Sequence, residues 1–143
     1  MSQWTHVNGC IRLDGLPGIV PENTIENVCK LMGNCVSFND ESDLWDRCNV
    51  PCGSEGSLKY EVLEIDKGLV WLTIPIWGDL RDFHSIEEIR TWFEKIVLSE
   101  NVMVRSAVLE VHIEYTATYV LYYQNSTGNG AVGCVTTWEY NKE

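Results

Sequence analysis

Three histidines and six cysteines are the residues of this chain best suited to metal binding or nucleophilic catalysis, but their spacing matches neither kind of site. His6, His84 and His112 are far apart in the sequence, so they do not form a recognisable metal-ligand motif. The pairs Cys29-x5-Cys35 and Cys48-x3-Cys52 are wider than the C-x2-C pairs of structural zinc sites. Thiols that stay reduced, several of them buried as small hydrophobes, are the simpler interpretation. We therefore expect no bound metal and no cofactor.

Two polar segments are the best candidates for binding. Pro51–Ser57 is a glycine-serine turn that leads into a strand, whereas familiar phosphate loops lead into a helix. Two interpretations of it stay open: a structural turn, or a nest of backbone N–H groups that holds an anion. Trp77–Asp82 is predicted to be a second turn, with carboxylates flanking an arginine. The chain lacks the P-loop, the dinucleotide fingerprint, the nucleophile elbow and the zinc-protease motif, so we predict a protein that is not an enzyme.

A predicted hairpin would bring these two segments together. Leu58–Ile65 and Leu69–Ile76 have strand composition, and Asp66–Gly68 is a short loop with glycine where a positive φ is needed. In an antiparallel hairpin both polar segments fall at the same end of the sheet. Arginine there would meet phosphate, and tryptophan would stack on a base. The predicted ligand site consists of His6, Asn8, Arg12, Gly53, Ser54, Glu55, Gly56, Ser57, Trp77, Asp79 and Arg81. For Arg81 a salt bridge to Asp79 or Asp82 is the alternative role.

The periodicity of the remaining chain predicts strands around two helices. Trp4–Leu13 alternates, with Thr5, Val7, Gly9, Ile11 and Leu13 as the more apolar set. Helices are predicted over Pro21–Met32, ended by Gly33, and over Ile86–Ser99, begun by the capping box of Ser85 and Glu88. The C-terminal part is predicted to form three strands, Val104–Tyr115, Thr118–Gln124 and Ala131–Tyr140, with Asn125–Gly130 as a turn.

The predicted order of elements is β-α-β-β-α-β-β-β. This order predicts a single α+β domain over residues 1–143, with a mainly antiparallel sheet. The ferredoxin-like core would be β-α-β-β-α-β, followed by extra C-terminal strands. Pro75 should mark an edge, a bulge or an end of regular pairing, because it cannot donate to a ladder. Asn34–Pro51 is a long polar loop, a type that is often functional.

The charge balance restricts the partners. Ten Lys and Arg residues against 21 Asp and Glu give a net charge of −11, which argues against direct binding to nucleic acid. Apolar runs are too short and too often broken by charge to span a membrane. The segment Met1–His6 lacks the features of a signal peptide, so a cytoplasmic location is expected.

Three segments resemble small proteins encoded by phages and prophages of Gram-positive bacteria. They are Trp4–Arg12, Pro51–Leu58 and Trp77–Asp82, and the resemblance extends from residue 4 to about residue 97. That group has no assigned activity, so the resemblance implies a setting, the host-cell cytoplasm, and not a mechanism. Small acidic phage proteins of this size often look like counter-defence factors.

That setting suggests three hypotheses. The first is a binding protein that sequesters a small nucleotide-type immune signal at the predicted ligand site. The second is an inhibitor similar to anti-CRISPR proteins, whose acidic surface, including Asp40–Asp46, occupies the basic cleft of a host defence effector. The third is a virion accessory or assembly protein that forms homo-oligomers through its C-terminal strands.

Overall fold

A computed structural model describes residues 2–14, 25–33, 50–64, 71–100, 102–126 and 129–141 of the chain. Its elements in chain order are β1 (Trp4–Asp14), α1 (Ile25–Met32), β2 (Lys59–Tyr60), β3 (Leu63–Glu64), β4 (Trp71–Arg81), α2 (Ile86–Val97), β5 (Val104–Ile113), β6 (Ala117–Ser126) and β7 (Asn129–Glu139). Within these ranges no helix has the length and apolarity needed to cross a membrane.

The strands form one sheet in the order β2-β4-β1-β5-β6-β7, and β3 also pairs with β4. Every neighbouring pair is antiparallel. The predicted α+β class with a mainly antiparallel sheet is therefore confirmed. The sheet continues two strands beyond β5, so its order is longer than that of a four-stranded ferredoxin-like sheet.

The side chains of the central strand β1 alternate between a buried face of the sheet, the core face, and an exposed face, the open face. The sequence predicted this alternation. Thr5, Val7, Ile11 and Leu13 are buried, whereas Asn8 and Arg12 on the other face are exposed. Gly9 lies on the core face, where a Cβ atom would come within 2.2 Å of the Val108 carbonyl oxygen. Only glycine allows β1 and β5 to approach so closely at this point.

Both helices pack on the core face. Ile89, Trp92, Phe93, Ile96 and Val97 of α2 are buried in the same cluster as Val28 and Met32 of α1. The Trp92 Nε1–H group donates to the Met32 carbonyl oxygen at 3.0 Å, which ties the end of α1 to α2.

The predicted start of α2 and the predicted end of α1 are present, whereas α2 ends at Val97, two residues before the predicted Ser99. The Ser85 hydroxyl accepts from the Glu88 N–H at 3.1 Å. Gly33 has φ of 92° after the last residue of α1, and its N–H donates to the Cys29 carbonyl oxygen. The start predicted for α1, residues 21–24, lies outside the described residues.

The predicted turn over Trp77–Asp82 is wrong, because Trp77–Arg81 belong to β4. The strand continues because Ile74, Ile76 and Leu80 are buried at alternate positions on the core face. Its pairing with β1 also continues without interruption to Arg81, which pairs with Trp4. The predicted turn over Asn125–Gly130 is also wrong in part, since Asn125 pairs with Gly130 and Ser126 with Asn129.

The predicted hairpin pairing exists, but its first strand is interrupted. Lys59 pairs with Trp77 and Glu64 with Leu72 in one register, whereas the two residues between β2 and β3 lie opposite Pro75 and Ile74. The interruption is explained by Pro75, which has no N–H to donate. The connecting loop Asp66–Gly68 and most of the long loop Asn34–Pro51 lie outside the described residues.

Candidate binding face

The open face is the side of the sheet opposite α1 and α2, and no described element packs on it. Its side chains come from alternate positions of β4, β1, β5, β6 and β7. They include Trp77, Asp79, His6, Asn8, Cys10, Val108, Glu110, His112, Thr118, Val120, Tyr122, Val135 and Trp138. Five strands at ordinary spacing give a surface roughly 20 Å by 30 Å, on the order of 600 Å².

A row of polar and aromatic side chains crosses this face from β4 to β7. The strand registers place Asp79, His6, His112, Thr118 and Trp138 opposite one another in that order. The rings of His6 and His112 are 6.0 Å apart and nearly parallel, at 13°. His112 Nδ1 lies 2.6 Å from the Thr118 hydroxyl, and its ring centroid lies 5.4 Å from that of Trp138. We call these five residues the histidine row.

His6 joins three strands of the sheet through two carboxylates. Its Nδ1 lies 2.6 Å from Asp79 Oδ1, and its Nε2 lies 2.8 Å from Glu114 Oε2. The hydrogen bonds to Asp79 and to Glu114 raise the pKa of His6 above its ordinary value of 6.5. In turn the His6 imidazole, followed by the Trp4 backbone N–H, lowers the pKa of Glu114. Because both ring nitrogens face carboxylate oxygens, protonated His6 is held as a structural donor.

Large apolar side chains remain exposed on this face, both in the histidine row and outside it. The exposed fractions are 44% for Trp77, 47% for Val108, 46% for Val135 and 44% for Trp138. Glu110 is exposed between Asn8 and Val120 in the middle of the sheet. Exposed aromatic and aliphatic side chains on one face of a sheet mark it as a candidate contact surface.

The glycine-serine segment is bound along the end of β4. The Ser54 N–H donates to the Arg81 carbonyl oxygen at 2.8 Å, and the Arg81 N–H donates to the Glu55 carbonyl oxygen at 2.9 Å. The Gly53 N–H is also used, by the Gly56 carbonyl oxygen. This geometry supports the structural-turn interpretation of the segment, since the N–H groups of Gly53 and Ser54 already have acceptors.

Packing explains the glycines of this region. A Cβ atom on Gly53 would lie 2.4 Å from the Arg81 carbonyl oxygen, and one on Gly78 would lie 2.6 Å from that of Ser57. Gly56 has φ of +76° and contacts the Asp79 backbone. The two predicted polar segments therefore lie together, as the sequence predicted. Their backbones are in direct contact and leave no space for a ligand between them at these glycines.

Arg81 forms a salt bridge with Glu55, a partner that the sequence did not predict. Its Nη1 lies 2.6 Å from Glu55 Oε1, and its Nε–H donates to the Ser2 hydroxyl. The predicted alternative partner Asp82 is farther away, at 3.9 Å. Binding of a phosphate by Arg81 would therefore compete with the Glu55 carboxylate.

The structure brings some of the predicted ligand residues together and separates others. His6, Asn8, Trp77 and Asp79 are neighbours on the open face. Arg81 is paired with Trp4, and Arg12 is eight residues farther along β1, which corresponds to roughly 26 Å of strand. One phosphate group cannot contact both arginines. Ligand binding by the eleven residues stays a prediction.

Sequence reasoning missed Trp138 as a site residue. Trp138 reaches the row because β7 carries an extra residue: Thr118 pairs with Trp138 and Tyr119 with Thr136. Without that bulge, the alternation of β7 would place Trp138 on the core face. A bulge of this kind leaves no sequence signal.

A concavity lies along β2 at the edge of the sheet, where residues of α1 and the open-face residue Trp77 both line it. It measures about 780 Å³, and its lining includes Cys29, Gly33, Val50, Tyr60 and Trp77. The Tyr60 hydroxyl donates to the Gly33 carbonyl oxygen at 2.8 Å across its floor. Gly33 and Val50 border residues 34–49, which are outside the described ranges, so we assign no ligand to it.

No protein-family model, no curated protein and no solved structure matches this chain. The geometry of the open face is therefore the strongest guide to its function.

Proposed function

We propose that this chain is a non-enzymatic binding protein whose open face binds a basic macromolecular partner. The observation that carries the proposal is the combination of exposed Trp77, Trp138, Val108 and Val135 with the carboxylates around them. Aromatic anchors supply binding energy, and acidic groups select a partner of opposite charge. The surface of about 600 Å² is close to the roughly 800 Å² that each partner contributes to a standard interface.

The resemblance to phage and prophage proteins supports a counter-defence role in the host-cell cytoplasm. In that setting the partner would be a host defence effector whose basic cleft normally holds nucleic acid. The net charge of −11 favours occupation of such a cleft, because the chain presents the same sign of charge as a nucleic acid. The acidic segment Asp40–Asp46 lies outside the described residues, so the proposal is built on the open face.

Sequestration of a nucleotide-type ligand is the second candidate. Trp77 is exposed and lies between Asn8 and Lys59 in the strand register, which gives a ring for stacking beside an amide and a cation. The separation of Arg12 from Arg81 and the Glu55–Arg81 pair weaken this candidate, because the predicted phosphate partners are apart or engaged.

We also propose that β1, α1, β2 with β3, β4, α2 and β5 form a ferredoxin-like core. Antiparallel pairing of β1 with both β4 and β5, with both helices on one face, supports it. In this description β6 and β7 are additions that widen the open face.

The test is competition with nucleic acid for purified host defence effectors that are guided by or bind nucleic acid. We expect the wild-type protein to displace nucleic acid from a target, with an affinity that falls steeply as salt is raised. Glu110→Lys should weaken the inhibition on the order of tenfold, because it places a like charge against the basic cleft. The matched control is Glu87→Lys, which makes the same change at an exposed residue of α2, away from the open face.

Two outcomes would contradict the proposal. Equal loss of inhibition in both variants would mean that only net charge matters. A thermal shift with cyclic oligonucleotides or cyclic ADP-ribose variants, together with no effect on any effector, would favour sequestration.

A further inference from the structure

The two edges of the sheet are built in opposite ways. The edge formed by β2 and β3 is interrupted opposite Pro75 and carries Lys59, Glu61 and Glu64. Short strands and charged residues are the usual protection of an edge against pairing. The edge strand β7 has eleven residues, and Asn129–Trp138 contains neither a charged residue nor a proline. Among the described residues β7 pairs only with β6.

This uncharged stretch is unexpected in a chain with 31 charged residues among 143, counted as 10 basic and 21 acidic. An edge of this kind pairs with another strand unless something protects it. The bulge at Thr137 is one protective feature, because it twists the end of the edge, but it leaves Ala131–Thr136 regular. That segment is therefore the part of the edge available to a further strand.

On the open face, this segment carries a small residue, Gly133, next to a larger exposed one, Val135. A Cβ atom on Gly133 would lie 2.2 Å from Cζ of Tyr122, so the tyrosine ring covers the glycine on the open face. Val135 projects from the same face of β7 and is 46% exposed. Cys134 lies between them on the core side and is half-buried against the hydrophobic cluster.

We propose that β7 pairs antiparallel with β7 of a second copy of this chain, so that the sheet continues across a twofold axis. Full overlap of the eleven-residue strand places its midpoint, Cys134, opposite the same residue of the second copy. Val135 then lies opposite Gly133, beside the Tyr122 ring, on both sides of the axis. A twofold interface requires such self-complementarity.

The distribution of charge makes β7 an edge at which a second copy of this acidic chain meets little repulsion. Two chains of net charge −11 repel each other over most of their surfaces. Pairing along β7 brings together two strand segments that contain no carboxylate from Asn129 to Trp138, and it keeps the Glu139 residues at opposite ends, each facing Asn129. Pairing through the open face would instead bring Glu110 and Asp79 of two copies together.

The experiment is a measurement of solution mass by light scattering, with a matched pair of lysine variants. The wild-type protein should have twice the 16.3 kDa mass of the chain. Val135→Lys should shift it to the monomer mass, because lysine on an edge strand opposes pairing. Val108→Lys should remain a dimer, because Val108 is equally exposed, at 47%, but lies in the middle of the sheet.

Native Cys134 gives a second test that needs no variant. Opposed residues in an antiparallel pair have Cα atoms about 4.5–5.5 Å apart, within the range that a disulfide spans. Diamide, which accepts the two hydrogen atoms of a thiol pair, should produce a Cys134–Cys134 crosslinked peptide that is identified by mass spectrometry.

A monomeric wild-type protein at its highest soluble concentration would overturn the inference. So would a dimer that Val108→Lys dissociates and Val135→Lys does not, since that pattern identifies pairing through the open face. If Val135→Lys does not fold, the presence of the Cys134–Cys134 peptide in the wild-type dimer supports the inference and its absence refutes it. None of these results depends on the basic partner, so the two proposals fail separately.

Discussion

Replacing His6 with glutamine tests whether the histidine row contributes to stability through charge. Glutamine retains polar contacts but cannot carry the positive charge that Asp79 and Glu114 face. Exposed ion pairs contribute about 0.2–1 kcal/mol each, and the His6 side chain is 42% exposed, which places the combined loss near 1 kcal/mol. For a chain of this size that corresponds to a fall in Tm of about 3 °C.

The pH dependence gives the sharper result. Since the pKa of His6 is higher in the folded state than its ordinary value of 6.5, its stabilisation is fully present below that value. It is lost as the pH rises through the higher, folded-state pKa. The difference in Tm between wild type and His6→Gln should therefore be largest on the acidic side of 6.5, while the carboxylates remain ionised, and should vanish in alkaline buffer.

The control for this measurement is His84→Gln, which removes an exposed histidine before the N-cap of α2. Its Tm difference from wild type should be small at every pH. Thermal unfolding followed by circular dichroism across a pH series measures both variants. A His6→Gln difference that grows with rising pH, or that matches His84→Gln throughout, would refute the assignment of His6 as a charged donor.

Three further changes test the packing that supports the face. Gly78→Ala should destabilise the fold by about 2–3 kcal/mol in denaturant unfolding, because its Cβ atom would lie 2.6 Å from the Ser57 carbonyl oxygen. Trp92→Phe should cost about 2 kcal/mol, or about 6 °C in Tm, because the buried Met32 carbonyl loses its donor. Arg81→Gln should cost no more than about 0.5 kcal/mol, since the Glu55 pair is exposed and backbone bonds hold the segment; a larger, salt-sensitive loss would contradict this.

The elements of this fold were predictable because their patterns are local. The alternation of β1 and the capping box of α2 each depend on a few neighbouring residues. The interruption opposite Pro75 was also predictable, since a missing N–H acts at one position. The continuation of β4 through Trp77–Arg81 was not, because pairing with β1 overrides the local glycine and aspartate content.

Which residues meet in the histidine row depends on the order of the strands in the sheet. The sequence of any single strand does not reveal that order. His6 and His112 are neighbours only because β5 pairs beside β1, and His112 meets Trp138 only because β6 and β7 extend the sheet beyond β5. The same information separates Arg12 from Arg81: both lie on the open face, but at opposite ends of the sheet. Residue types alone could not show that the two predicted phosphate partners lie this far apart.

The two proposed contacts use different parts of the sheet and are compatible with each other. Antiparallel pairing through β7 requires a twofold axis perpendicular to the sheet, so the open faces of both copies point to the same side. Such a dimer presents two aromatic-rich open faces, each with exposed Glu110, side by side. Because a second binding event on one scaffold is intramolecular, a partner with two basic sites within reach would be held much more tightly than by one copy. Pairing through the uncharged edge would then double the open face that is offered to the partner.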